Sequence, residues 1–138
     1  LAVIMDQYSR RVLAWALRPR RDARVTRAVL NAAVGRRTPP DGLIFHSDRG
    51  SEYLAAHFRD RLRDFGILQS ANQRGPEDNP HMESFFHTLK AETTRGVHFA
   101  ADSALRALLR RYFRYYNHER LHSALGYQSP VAFEALAA

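Results

Sequence analysis

Two acids in this 138-residue chain stand where their chemistry could be used. Asp48 lies in His46-Ser47-Asp48-Arg49-Gly50-Ser51-Glu52-Tyr53, just after Leu43 to His46, a short run that reads as a strand. Reacting groups gather beyond the carboxyl ends of strands, where loops fan open. Gly50, two residues on, lets the backbone approach a phosphate or a metal closely. The competing reading is that Asp48 and Ser51 only cap the next helix. Glu83 lies in Asp78-Asn79-Pro80-His81-Met82-Glu83-Ser84-Phe85-Phe86. At about 100° per residue it borders the apolar stripe Met82, Phe85, Phe86, Leu89, with His87 and Lys90 along the same side. A carboxylate at the edge of a buried face can point into a crevice, and the two cations beside it would suit a phosphate backbone. An ordinary amphipathic helix with a solvated polar face gives the same periodicity.

Two other patterns compete for attention. His118-Glu119-Arg120-Leu121-His122 is a formal His-Glu-x-x-His match, in which two histidines on one helix face bind zinc and the Glu acts as base. Zinc needs a third protein ligand, and the candidate, Glu134, lies beyond Gly126 and Pro130. His46-Ser47-Asp48 contains the residue types of a hydrolase triad, but neighbours on a strand point to opposite faces and cannot form a relay.

These residues need a scaffold. Leu1 to Met5 and Val12 to Leu17 are apolar runs around a polar turn and predict an antiparallel hairpin. Asp22 begins a helix that stops near Gly35, and the strand Leu43 to His46 follows the Pro39-Pro40-Asp41-Gly42 turn. Leu54, Phe58, Leu62 and Phe65 mark a second helix ended by Gly66, with Ile67 to Gln69 as a fourth strand. Ser70 to Pro80 reads as a loop before the Glu83 helix. A longer helix from near Asp102 buries Leu105, Leu108, Leu109, Tyr112, Phe113 and Tyr116 and exposes Arg106, Arg110, Arg111 and Arg114. A last short helix has Pro130 in its first turn. Strands alternating with helices predict an α/β chain, a mixed sheet flanked by helices, forming one domain over 1–138.

Composition agrees with a polyanion partner. Lys plus Arg number 21 against 14 Asp plus Glu, a formal charge of +7, and Lys90 is the only lysine. Arginine forks onto phosphates bidentately, although a GC-rich coding sequence produces the same bias. The hydrophobic fraction of 45% argues against global disorder. With no cysteine there is neither a disulfide framework nor a thiolate site. No apolar run reaches a membrane span and the amino terminus lacks the basic, apolar, small-residue order of a signal peptide, so a soluble cytoplasmic protein is expected.

The run His46-Ser47-Asp48-Arg49-Gly50-Ser51-x-Tyr53, then Asp78-Asn79, then Glu83-Ser84-Phe85-Phe86-x-x-Leu89-Lys90-x-Glu92, and finally Tyr116-Asn117-x-x-Arg120-x-His122-x-x-Leu125-Gly126-Tyr127 resembles the integrase-type core of bacterial insertion-sequence transposases, relatives of retroviral integrases. Val3-Ile4-Met5-Asp6-x-x-Ser9-Arg10-x-Val12 fits the same family's second and third strands. The resemblance implies a ribonuclease-H-like fold and an Asp, Asp, Glu triad holding two Mg²⁺ or Mn²⁺ ions for cleavage and strand transfer of DNA. Asp48 matches the second acid and Glu83 the third, 35 positions apart in the sequence. Lys90 matches a lysine that approaches DNA in integrases, and His87, Arg49, Arg106 and Arg110 are further candidate contacts. Double-stranded DNA, as element ends and target, a homo-oligomer assembled on it and a bacterial nucleoid location follow from the same resemblance.

The family's first acid lies on a strand that would precede Leu1, in an Asp-(Ile or Val)-Thr-Tyr segment. Asp6 matches instead a separate Asp before the Ser-Arg turn, and a hairpin role is expected for it. The chain thus reads as an N-terminally truncated core that lacks the first strand and the first catalytic Asp. Catalysis by this polypeptide alone would suffer, and the alternative is a noncatalytic fragment that binds DNA or pairs with a transposase subunit.

Overall fold

Apolar runs on either side of a polar turn give strands β1 (Ala2–Met5) and β2 (Val12–Ala16), which pair as a hairpin. Helix α1 (Ala23–Arg36) starts where expected, because the Asp22 carboxylate accepts the amides of Arg24 and Val25, each at 2.9 Å. Such a cap stabilises a helix by about 1 kcal/mol. The computed structural model describes residues 1–20, 22–71 and 79–137. Contacts group them into two compact units, Leu1–Ile4 with Leu13–Ser84, and Met5–Val12 with Phe85–Ala138.

In the first unit, β3 (Ile44–Ser47) pairs in parallel with β4 (Leu68–Ala71), in register from Ile44 opposite Leu68 to Ser47 opposite Ala71. Parallel neighbours require a crossover. It consists of α2 (Ser51–Leu54) and α3 (Ala56–Asp64). One helix was expected across this stretch; the chain instead breaks at Ala55, where φ is −59° and ψ 135°. On a continuous helix Tyr53 and Phe58 would point about 140° apart. The break lets both rings meet Phe45, with centroids 5.5 to 6.1 Å apart. Phe58 is fully buried there, with Leu30, Leu62 and Ile67. After α3, Gly66 takes a left-handed φ of 66°, and the amides of Gly66 and Ile67 bond to the carbonyls of Arg63 and Leu62. This arrangement satisfies the last helical carbonyls and turns the chain into β4.

The mixed sheet expected from the sequence is present, among the described residues, as two separate strand pairs. Ile4 of β1 and Phe45 of β3 both pack on the Leu30, Phe58, Leu62, Ile67 cluster, and Ala14 of β2 is buried with Val29 and Ala33 of α1. Ser70 and Ala71, expected to open a loop, belong to β4, and the rest of that expected loop, residues 72–78, lies outside the described residues.

The second unit holds the end of α4 (Pro80–Leu89), a π-helical turn at Lys90–Thr94, α5 (Asp102–His118) and α6 (Pro130–Ala137). Phe85, Leu89, Leu109, Tyr112, Phe113 and Tyr116 are buried, and the Phe85 ring lies 5.2 Å from Tyr116 and 6.1 Å from Phe113. Leu105 and Leu108, expected in the core, are only half-buried. The hairpin turn belongs to this unit. Asp6 accepts the amides of Tyr8 and Ser9 at 2.8 and 3.2 Å. Ser9 donates to Glu134 at 2.6 Å, and Arg11 pairs with the other oxygen of Glu134 at 2.5 Å.

Candidate active site

Strand β3 delivers Asp48 into solvent. Ser47, the last residue of the strand, is buried, and its hydroxyl donates to the Asp48 carbonyl at 2.9 Å. Two residues earlier His46 Nδ1 lies 2.9 Å from Ser70 Oγ, tying β3 to β4. The Asp48 side chain is exposed and accepts the Gly50 amide at 2.9 Å. Helix α2 has no side-chain cap, so neither Asp48 nor Ser51 serves as one. Arg49 is exposed beside them.

Gly50 lets two carboxylates approach its backbone. A Cβ there would lie 2.7 Å from Glu52 Oε2 and 3.0 Å from Asp48 Oδ1. Two carboxylate oxygens thus lie close together over the Gly50 Cα, and a side chain there would push them aside. The donors are hard oxygens, the chemistry that suits Mg²⁺ or Mn²⁺ rather than a thiophilic ion. Among the described residues no group of three His, Asp or Glu is gathered closely enough to hold a metal.

Glu83 occupies the first turn of α4, where a carboxylate complements the helix dipole. Its amide donates to the Asn79 carbonyl at 3.2 Å. Phe85 and Leu89 are buried, Met82 and Phe86 half-buried, and Glu83, His87 and Lys90 exposed, so the predicted stripe and polar side are both present. The border position of Glu83 opens to solvent. Arg106 is half-buried and Arg110 exposed on α5, with Arg111 and Arg114 exposed on the same outward side.

The zinc pattern does not survive the geometry. Helix α5 ends at His118, Glu119 is its C-cap, and His122 lies in a bridge to Gln128. The two histidines therefore do not share a helix face, and Glu134 is engaged by Ser9 and Arg11. Around His122 the second unit holds a polar cluster instead. Glu92 accepts the Tyr112 hydroxyl at 2.8 Å and the Arg120 guanidinium at 3.2 to 3.4 Å. Burial, then the Glu92 hydrogen bond and charge, push the Tyr112 pKa up. Burial likewise lifts Tyr116 to about 12, against the pull of Arg120 and Arg10. Burial acts to lower the pKa of Arg120, but the bond and charge of Glu92 outweigh it. Burial, Arg120 and Arg10 lower the pKa of His122.

Sequence reasoning gave no role to Asn117 and Glu92 beyond motif membership. Asn117 Oδ1 accepts the Val12 amide and its Nδ2 donates to the Val12 carbonyl, both at 2.9 Å, so the side chain imitates a neighbouring strand. The available signal was an amide near the end of an otherwise aromatic and basic helix.

Two family models, each described as an integrase core domain, match residues 1–76 and 66–130. The transposase for insertion sequence element IS904 of Lactococcus lactis is 38% identical over 136 residues, 97% of this chain and 54% of that protein. Transposase InsF for insertion sequence IS3A of Escherichia coli is also 38% identical over 136 residues, 97% of this chain and 47% of that protein. The chain thus spans about half the length of these curated relatives. The crystal structure of the catalytic core domain of BIV integrase superposes with a TM-score of 0.72 at 19% identity, covering 98% of this chain and 84% of that one. The HTLV-2 integrase catalytic core domain in complex with magnesium gives 0.63 at 13% identity, covering 95% and 81%. The hairpin and the parallel β3–β4 pair are thus those of a ribonuclease-H-like α/β fold, and the chain belongs to the integrase core domain family.

Proposed function

We propose that this chain is the catalytic core of a DNA transposase, with Asp48 and Glu83 as two of the carboxylates that hold divalent cations. The observation that carries the reading is Asp48 itself, a carboxylate placed at the end of a parallel strand with the Glu52 carboxylate beside it over Gly50. Mg²⁺ or Mn²⁺, when bound, would stabilise charge on the attacking and leaving oxygens of phosphoryl transfer. The chain's own residues do the rest. Ser47 and the Gly50 amide orient Asp48, the first turn of α4 presents Glu83, and Lys90, His87, Arg49, Arg106 and Arg110 supply positive charge for the phosphates of double-stranded element ends and target. The name of the magnesium-bound relative supports the cofactor. An intasome of simian T-cell lymphotropic virus, matched with a TM-score of 0.70, supports oligomeric assembly on DNA. Among the described residues no helix is long and apolar enough to cross a membrane; the bacterial nucleoid as its workplace follows from the transposase reading alone.

Mn²⁺ titration followed by electron paramagnetic resonance tests the metal role. Asp48→Asn and Glu83→Gln each should weaken binding at least about tenfold. Unchanged binding in both variants would sink the assignment. The exposed arginine side of α5 favours a second reading, a noncatalytic DNA-binding core. That reading gains if DNA affinity persists, steeply salt-dependent, where no cation binds.

A further inference from the structure

We propose that Glu92 is the positioning residue for Lys90, an inference that rests on reading Lys90 as a DNA contact. Helix α4 runs regularly to Leu89 and then opens into one wide turn, Lys90–Thr94. Its signature bond runs from the Arg95 amide to the Lys90 carbonyl at 2.9 Å, and the Thr93 hydroxyl donates back to Leu89. Wide turns of this kind are rare and concentrate at functional sites. This one is held from outside the helix. The Glu92 carboxylate takes the hydroxyl of Tyr112, a buried residue of α5, at 2.8 Å. It also takes Nε and Nη2 of Arg120 at 3.2 to 3.4 Å, and the Arg120 guanidinium lies 5.6 Å from the centroid of the Tyr116 ring.

Lys90 is exposed, two residues before the clamped carboxylate. A lysine ammonium rides on a long flexible stem, so its reach is fixed chiefly by where the backbone starts it. The Tyr112–Glu92–Arg120 clamp fixes that starting point. Glu92 touches no substrate in this account and acts only through the turn. Thr93, Arg111, Arg114 and Glu119 line the same open groove of about 550 Å³ as Glu92, so Arg111 and Arg114 are the cations of that groove that could substitute for Arg120.

The single lysine makes the test direct. Isotope-labelled reductive methylation gives one side-chain ammonium resonance for Lys90, read alongside DNA affinity at several salt concentrations and thermal unfolding. Lys90→Ala should flatten the slope of log affinity against log salt by about 0.9. Glu92→Ala and Arg120→Ala should each shift the Lys90 resonance, weaken DNA binding about threefold and flatten the slope comparably, with no further loss in a Lys90→Ala background. Exchanging the charges, Glu92→Arg with Arg120→Glu, should restore the slope, which a loss of general stability would not do. Where Glu92→Ala lowers the folded fraction, Glu92→Gln keeps an acceptor for Tyr112 without the ion pair and is read in the same way. If Lys90→Ala flattens the slope while the folded Glu92 variants leave both resonance and slope unchanged, the positioning role is overturned and the DNA contact stands. If Lys90→Ala leaves the slope unchanged, the DNA contact fails and the positioning role fails with it.

Discussion

Asp6 and Asp48 each stand immediately past a strand, yet their surroundings differ in kind. Asp6 closes a turn. Its carboxylate accepts two backbone amides, and the turn is tied to α6 through Ser9, Arg11 and Glu134. Asp48 accepts one amide from Gly50 and faces solvent beside a second carboxylate, that of Glu52. Two backbone donors converging on Oδ1 tie the Asp6 carboxylate into its own turn, whereas a single donor to Oδ1 holds the exposed Asp48 carboxylate. This contrast, rather than residue type or strand position, separates the two aspartates.

The sharpest way to break the comparison is to remove each acid and measure both properties. Asp6→Ala should lower unfolding free energy by about 1–2 kcal/mol, from the loss of two turn hydrogen bonds, and leave Mn²⁺ binding intact. Asp48→Ala should do the reverse. If Asp6→Ala abolished cation binding at undiminished stability, the assignment of the two would be exchanged.

A smaller effect probes the close approach of the two carboxylates to Gly50. Gly50 has φ of −55°, a value alanine adopts freely, and the nearest atoms are the mobile end of Glu52. Gly50→Ala should therefore change stability by less than about 0.5 kcal/mol while weakening Mn²⁺ binding about tenfold. Unaltered Mn²⁺ affinity would remove the Gly50 approach from the site.

The smallest expected effect belongs to the closed side. His122 titrates below its ordinary 6.5 when folded, because burial, Arg120 and Arg10 disfavour its charge. The unfolded chain then takes up the proton first. Stability from this group is complete above about pH 6.5 and declines as pH falls through the folded value. Urea midpoints at about pH 8 and about pH 5 should drop less in His122→Gln than in the parent. An equal drop would show that His122 contributes nothing to acid sensitivity.

Much of this was legible in the sequence, for reasons that can be named. Asp22 was readable as a helix start because a cap acts on its own next two or three amides. Asp48, Glu83 and the exposed side of α4 were readable because strand ends and helix phase are local properties. The break at Ala55 was not, since it serves ring contacts between Tyr53, Phe58 and Phe45 that join separate elements. The same reason hid the clamp on Glu92, whose partners lie 20 and 28 positions away. The zinc pattern misled because spacing alone does not say where α5 stops. Arg120 was explained only by resemblance until its bonds to Glu92 gave it a local task.

The paired bonds from Asn117 to Val12 bear on how freely the sequence can drift. Both bonds go to main-chain atoms, so they do not read the valine side chain, and position 12 is constrained only by the space its side chain must fill. Position 117 has no such latitude. It must supply one donor and one acceptor at fixed reach, and even the isosteric aspartate would forfeit the donor.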